Sequence, residues 1–247
     1  GGEGVALLMS DSTNAEVPGY SMSERTLSET INRIMMDAKG RVIFASFSTL
    51  VNRVQQVLDA AQKSNRKVVI TGRSMVANVE ICLATNYLKL PAKGMIIKME
   101  QANKLPDNQV IILTTGSQGE EFSALARISR SEHKTIQIKK GDTVVVSASQ
   151  IPGNEGSISS TLSALARLGA KVLYNKTLDI HTSGHAYQED LKLMISLTKP
   201  KYFMPIHGEH HMIVTHAELA KTMGIPDNNI FTLDNGQILE LNSAREA

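Results

Sequence analysis

Tryptophan is absent from the 247 residues, and only 4% of them are aromatic. Stacking of nucleic-acid bases on an aromatic platform is therefore not the recognition mode to expect. A single cysteine, Cys82, excludes an internal disulfide and suits a reducing compartment, the cytoplasm. No apolar run reaches the ~18 residues a membrane helix needs, so no membrane span is expected. Neither sign of charge dominates: 26 Lys and Arg face 24 Asp and Glu, for a net charge of +2. Any basic surface for nucleic acid would have to be local. The start lacks an initiator methionine and any signal-like region. It reads Gly1-Gly2-Glu3-Gly4 and runs directly into the apolar residues 5–9. We expect an excised fragment whose partner strands lie upstream.

What is present is an alternation. Short β-branched runs occur at residues 5–9, 41–45, 67–71, 109–114, 143–148 and 171–174. Between them lie stretches with helical spacing, such as Leu27, Ile31, Ile34, Met35 and Ala38, with Ser21 and Glu24 spaced as a capping box. The strands are continuous apolar runs, as required when helices cover both faces of a parallel sheet. Residues 41–175 therefore predict a Rossmann-like, doubly wound α/β unit. Beyond residue 200 the spacing predicts a strand at 201–205, a helix at 210–223, and a hairpin of 229–233 with 237–241 around Asp234-Asn235-Gly236.

Polar, glycine-containing turns follow the strands at the ends where α/β folds hold ligands. They are Ser10-Asp11-Ser12-Thr13-Asn14, Gly72-Arg73-Ser74, Thr115-Gly116-Ser117-Gln118-Gly119-Glu120 and Ile151-Pro152-Gly153-Asn154. Any one of them serves more often to turn the chain than to bind. Several on one sheet edge favour phosphate, with Arg73 as a bidentate cation. All but one of the seven histidines lie from residue 181 onward. His181-Thr182-Ser183-Gly184-His185 and Pro205-Ile206-His207-Gly208-Glu209 offer ligands, although a strand-end histidine alone is more often structural. The sequence has no His-x-His-x-Asp-His, no His-Glu-x-x-His and no cysteine pair, so a self-contained zinc site is not expected. His133, His210, His211 and His216 read as solvated.

Taken in order, these motifs, together with Phe44-Ala45-Ser46-Phe47 and Met204-Pro205, resemble bacterial ribonuclease J. That family forms part of the β-CASP branch of the metallo-β-lactamase superfamily, and the resemblance spans essentially the whole chain. It implies a Rossmann-like parallel-sheet β-CASP domain flanked by partial metallo-β-lactamase αββα segments. Residues 1–23 and 189–247 would form the flanking parts and residues 24–188 the β-CASP domain.

The resemblance further implies a zinc-dependent ribonuclease, a 5′–3′ exonuclease, an endonuclease or both, acting in mRNA decay and rRNA maturation. Asp11 resembles the motif A acid and His185 the motif B histidine, both catalytic, while His207 resembles the motif C metal ligand. Two zinc ions per site are implied, with manganese or magnesium as substitutes. Most zinc ligands would lie upstream, so the fragment alone is expected to be inactive. The partner is single-stranded RNA with a 5′-monophosphate. Candidates for gripping its phosphate are Ser48, Gly72, Arg73, Ser74, Ser117, Gln118, Gly119, Ser183, Gly184 and His185. A homodimer or tetramer, and association with other RNA-decay proteins, are also implied. Two other readings compete: a non-catalytic Rossmann-like nucleotide- or phosphate-binding module, and another β-CASP nuclease. The ribonuclease reading requires Asp11, His185 and His207 to meet in one crevice.

Overall fold

A computed structural model describes residues 4–148, 153–174 and 183–242. Ile151, Pro152, His181 and Thr182 of the expected motifs lie outside the described residues. In chain order the strands and helices are β1 (Leu7–Asp11), α1 (Glu24–Asp37), β2 (Val42–Ala45), α2 (Val51–Lys63), β3 (Lys67–Ile70) and α3 (Arg73–Ala84). There follow α4 (Met99–Ala102), β4 (Val110–Thr114), α5 (Ala124–Ser129), β5 (Thr143–Val146) and α6 (Glu155–Arg167). The last are β6 (Lys171–Tyr174), α7 (Gln188–Thr198), β7 (Tyr202–Ile206) and α8 (His210–Thr222). The chain divides into two compact units, Gly1–Met22 with Ser183–Ala247, and Ser23–Thr182.

The larger unit is the expected α/β fold, a five-stranded parallel sheet of order β3-β4-β2-β5-β6. The apolar runs put buried side chains on both of its faces. Val42, Phe44, Val68, Ile111 and Leu113 pack with Ile31 and Met35 of α1, Val54 and Leu58 of α2 and Met75 of α3. Their alternates Ile43, Val69, Ile112 and Val144 pack with Met99 of α4, Leu125 and Ile128 of α5 and Leu165 of α6. Period-two alternation thus fills two separate cores from one set of strands. At the amino ends of β2 and β5, Arg41 donates from Nε and Nη2 to the two Asp142 oxygens at 3.0 and 2.6 Å, both side chains being buried. The carboxyl ends of β3 and β4 carry the polar turns at Gly72 and Thr115. β4 and β5 flank β2 on opposite sides, the strand order at which doubly wound sheets place ligands.

In the smaller unit β1 and β7 pair in parallel, Leu7 opposite Tyr202 through Asp11 opposite Ile206. This register sets Asp11 beside the residue preceding His207. Phe203, Ile195 of α7, Ala220 of α8 and Ile225 form its apolar cluster.

Two local expectations are corrected. Ser23, not Ser21, caps α1, its Oγ accepting from the Arg25 amide at 3.3 Å. The Ser21 amide instead donates to Asp190 Oδ2 at 2.8 Å. The hairpin after residue 228 does not form among the described residues. The Phe231 amide donates to the Phe203 carbonyl at 2.9 Å, making an isolated parallel bridge between Ile230 and β7. The turn at Gly236 is real, with φ +98° and the Gln237 amide donating to Asp234 at 3.1 Å, but Ile238 beyond it is 83% exposed.

Candidate functional site

Strand pairing over nearly two hundred residues brings the ends of β1 and β7 together, and the polar residues that follow each strand share one corner. Asp11 Oδ2 lies 2.9 Å from His185 Nδ1 and 3.6 Å from His207 Nδ1. The two imidazole rings sit 5.4 Å apart, tilted by 45°. One ligand atom from each of the three residues falls within 4.8 Å of the others, an arrangement able to hold a metal ion. Oxygen and two imidazole nitrogens form a donor set that suits zinc.

The corner is held by short polar contacts. The Thr13 amide donates to Asp11 Oδ1 at 2.9 Å. Thr13 Oγ1 donates to the His207 carbonyl at 3.1 Å and lies 3.1 Å from His207 Nδ1. Asn14 Nδ2 donates to Ser183 Oγ at 2.7 Å and to the His185 carbonyl at 3.0 Å, fixing the segment that delivers His185. Ser183 Oγ also accepts from the His185 amide at 3.1 Å. His207 itself has φ +55°, a left-handed conformation uncommon for residues with a side chain. Such strain persists where surrounding contacts over-determine it, and it accumulates at functional sites. Burial pushes the Asp11 carboxyl up, but the Thr13 amide and His185 outweigh that and hold it below the ordinary carboxylate value. Asp11 is therefore a carboxylate at neutral pH.

Both Asp11 oxygens are engaged, Oδ1 by the Thr13 amide and Oδ2 by His185 Nδ1. His185 turns Nδ1 to this acid and keeps Nε2 for another partner. His207, with its side chain 67% exposed, has Nε2 to offer a metal.

Of the expected phosphate residues, Ser183, Gly184 and His185 belong to this unit, and Ser48, Gly72, Arg73, Ser74, Ser117, Gln118 and Gly119 to the other. Within the larger unit the turns after β3 and β4 meet. Gly72 has φ +93°, and a Cβ there would lie 2.7 Å from Thr115 Oγ1, so only glycine fits. Gly119, at φ +69°, sits against the first turn of α6, where a Cβ would lie 2.8 Å from the Ile158 nitrogen. Ser117 Oγ is buried without a hydrogen-bond partner among the described residues, and Gln118 is buried beside it. Arg73 and Ser74 are exposed at the start of α3. Ser48 is half-buried, its carbonyl accepting from Asn78 Nδ2 at 3.0 Å.

Two histidines depart from expectation. His216 is fully buried rather than solvated, because α8 turns it inward beside Ala217 and Ala220. His133 is half-buried, its Nδ1 accepting from the Ile136 amide at 3.2 Å and its Nε2 lying 3.3 Å from Thr71 Oγ1. His210 and His211 are exposed. Sequence reasoning also missed the supporting parts played by Thr13 and Asn14. Their position directly after a strand-end acid was the available signal.

Residues 39–165 match the family "Ribonuclease J, beta-CASP domain". The chain belongs to the ribonuclease J beta-CASP family. Residues 174–233 match the Zn-dependent metallo-hydrolase RNA specificity domain. The chain is 45% identical to Ribonuclease J of Synechocystis sp. over 245 residues, covering 99% of this chain and 38% of the relative. It is 45% identical to Ribonuclease J 1 of Streptococcus pyogenes, covering 98% of this chain and 43% of the relative. It is 43% identical to Ribonuclease J of Thermus thermophilus, with 98% and 42% covered. The chain thus spans about two fifths of the length of these relatives. No helix among the described residues is long and apolar enough to cross a membrane.

Proposed function

We propose that this chain carries part of the active site of a zinc-dependent ribonuclease that hydrolyses phosphodiester bonds in single-stranded RNA, as a 5′–3′ exonuclease, an endonuclease or both. The observation that carries the reading is the convergence of Asp11, His185 and His207 within 4.8 Å, in a chain matching both a ribonuclease J and a metallo-hydrolase RNA specificity domain. His207 is the zinc ligand. The relatives are more than twice as long as this chain, and we assign the remaining ligands, for two ions per site, to the length it does not span. Bound zinc supplies a Lewis acid that draws charge from the phosphate oxygens and favours attack by water.

The residues on hand supply the proton chemistry. The Asp11 carboxylate accepts from His185 Nδ1–H and fixes the ring's orientation, leaving Nε2–H as the acid. As water bonds to phosphorus and the P–O bond to the leaving ribose oxygen breaks, His185 passes its Nε2 proton to that oxygen, and the proton given up by the attacking water afterwards restores the one His185 has lost. Thr13 and Asn14 hold the carboxylate and the His185 backbone in register. Backbone amides around Gly72 and Gly119, with Arg73 nearby in sequence, support contacts to RNA phosphates, including a 5′-monophosphate. Such contacts need few aromatics. The single thiol, Cys82, suits work in the cytoplasm.

The test uses the full-length protein, 5′-monophosphorylated RNA and zinc. His207→Ala should lower zinc content and abolish turnover. His185→Ala should slow cleavage by ~100-fold or more, typical for loss of a general acid, with zinc content retained. Loss of zinc in His185→Ala but not in His207→Ala would reverse the two roles. Zinc-independent RNA binding without cleavage by the wild type would favour a non-catalytic phosphate-binding module.

A further inference from the structure

One buried group stands behind the site without touching it. His216, on the inward face of α8, is fully buried, and its ring meets Phe203 edge-on at 4.9 Å between centroids. Its Nδ1 lies 3.0 Å from Ser12 Oγ, whereas its Nε2 is buried with no partner among the described residues. Burial lowers its pKa to about 4, with the Asp11 charge pulling the other way, so the ring is neutral at physiological pH. A neutral imidazole with one orphaned nitrogen is a costly way to fill an apolar slot that phenylalanine or leucine would fill at less expense. The cost calls for a role.

Ser12 supplies it. The residue is fully buried and stands between Asp11 and Thr13, both of which contact the site. Its amide donates to the carbonyls of Ile206 at 2.8 Å and His207 at 3.2 Å. On its other flank is Gly208, where an added Cβ would lie 3.4 Å from Ser12 Cβ. Ser12 is thus clamped by the β7 end, by the close-packed glycine and by the His216 ring. Rotation of this turn would carry the Asp11 carboxylate away from His185 Nδ1.

We infer that His216 is a positioning residue: through Ser12 it locks the turn after β1, so that Asp11 faces His185 and Thr13 faces His207. The inference rests on the proposed zinc-ribonuclease reading for its catalytic consequence and on geometry alone for the lock.

Four variants of the full-length protein test it. His216→Phe keeps the ring's volume and its packing on Phe203 but removes Nδ1. His216→Asn returns a polar atom at about the reach of Nδ1. Ser12→Ala removes the other half of the pair, and a double variant combines Ser12→Ala with His216→Phe. Zinc affinity is read by competition with a chromogenic chelator, and kcat and KM on 5′-labelled RNA. We expect His216→Phe and Ser12→Ala each to weaken zinc binding and lower kcat by about tenfold, the lower end for outer-shell partners, with KM within about twofold. The double variant should be no worse than either single one, and His216→Asn should recover to within about threefold of wild type. Wild-type behaviour of both single variants, losses that multiply in the double variant, or failure of Asn to rescue would overturn the inference. If His216→Phe does not fold, Ser12→Ala reads the same hydrogen bond. If the wild type neither binds zinc nor cuts RNA, the functional reading fails on its own. A crystal structure of Ser12→Ala then decides the lock: longer Asp11–His185 and Asp11–His207 distances support it, and unchanged ones overturn it.

Discussion

The two units keep their shape by different means. The larger one holds eighteen buried apolar residues on one face of its sheet and fourteen on the other, among the described residues. The smaller holds a cluster of four, Phe203 included, among the described residues. It compensates with polar interlocks: Thr13 to Asp11, Asn14 to Ser183 and His185, Ser12 to His216, and Ser21 to Asp190. Apolar burial is non-directional and tolerates small adjustments of angle. Hydrogen bonds to carboxylate and imidazole fix angle and distance. The stable core and the exacting geometry are thus assigned to different parts of one chain.

The comparison breaks most readily where the larger unit departs from its own rule. Its buried Arg41–Asp142 pair is polar, and Arg41→Met strands a carboxylate in the interior. Denaturant unfolding should show a loss of about 3–5 kcal/mol, with zinc affinity at the Asp11 corner unchanged in the folded protein. A loss below 1 kcal/mol would mean that the pair contributes nothing its hydrophobic neighbours do not.

A smaller effect should separate the units by pH. His216 titrates near 4 when folded and near 6.5 when unfolded, so between these values the unfolded chain binds more protons. Its contribution is complete above pH 6.5 and is lost as pH falls towards 4, to a total of roughly 3 kcal/mol. The depressed Asp11 carboxyl extends the same trend below its ordinary value of 3.8. Unfolding free energies at pH 7 and pH 4.5 measure this, and His216→Phe should flatten the slope. An equally steep slope in that variant would assign the acid sensitivity elsewhere.

Smallest of all should be Lys139→Ala, which removes a half-exposed partner of Asp107 at 2.6 Å. Its cost should stay below about 1 kcal/mol in the same denaturation assay, because exposed pairs are screened. A larger cost would mean that the larger unit depends on its surface as well as on its cores.

Sequence reasoning succeeded where apolar, β-branched runs are continuous in the chain. Residues 171–174 are the strand β6 as expected, and the other parallel strands differ by only a few residues at their ends. It erred where a local pattern met a distant competitor. Ser21 and Glu24 have capping-box spacing, but Asp190 takes the Ser21 amide. Residues 229–233 and 237–241 have hairpin spacing, but the carbonyl of Phe203 takes the Phe231 amide. His216 was read as solvated although it lies beside Ala217 and Ala220 on the buried stripe of α8, a signal the helical period already contained.

Alternating β-branched runs and helical stripes, by themselves, determined a parallel α/β sheet with helices on both faces, because periodicity and burial are local properties of the chain. The ordered motifs marked Asp11, His185 and His207 through family resemblance. Only the tertiary structure decided that Asp11 lies within hydrogen-bond and metal-ligand distance of two histidines 174 and 196 positions further on, and that a buried histidine stands behind them. The physical reason is that β1 and β7 find each other through backbone pairing across the whole length of the chain. No local period encodes a contact made at that separation.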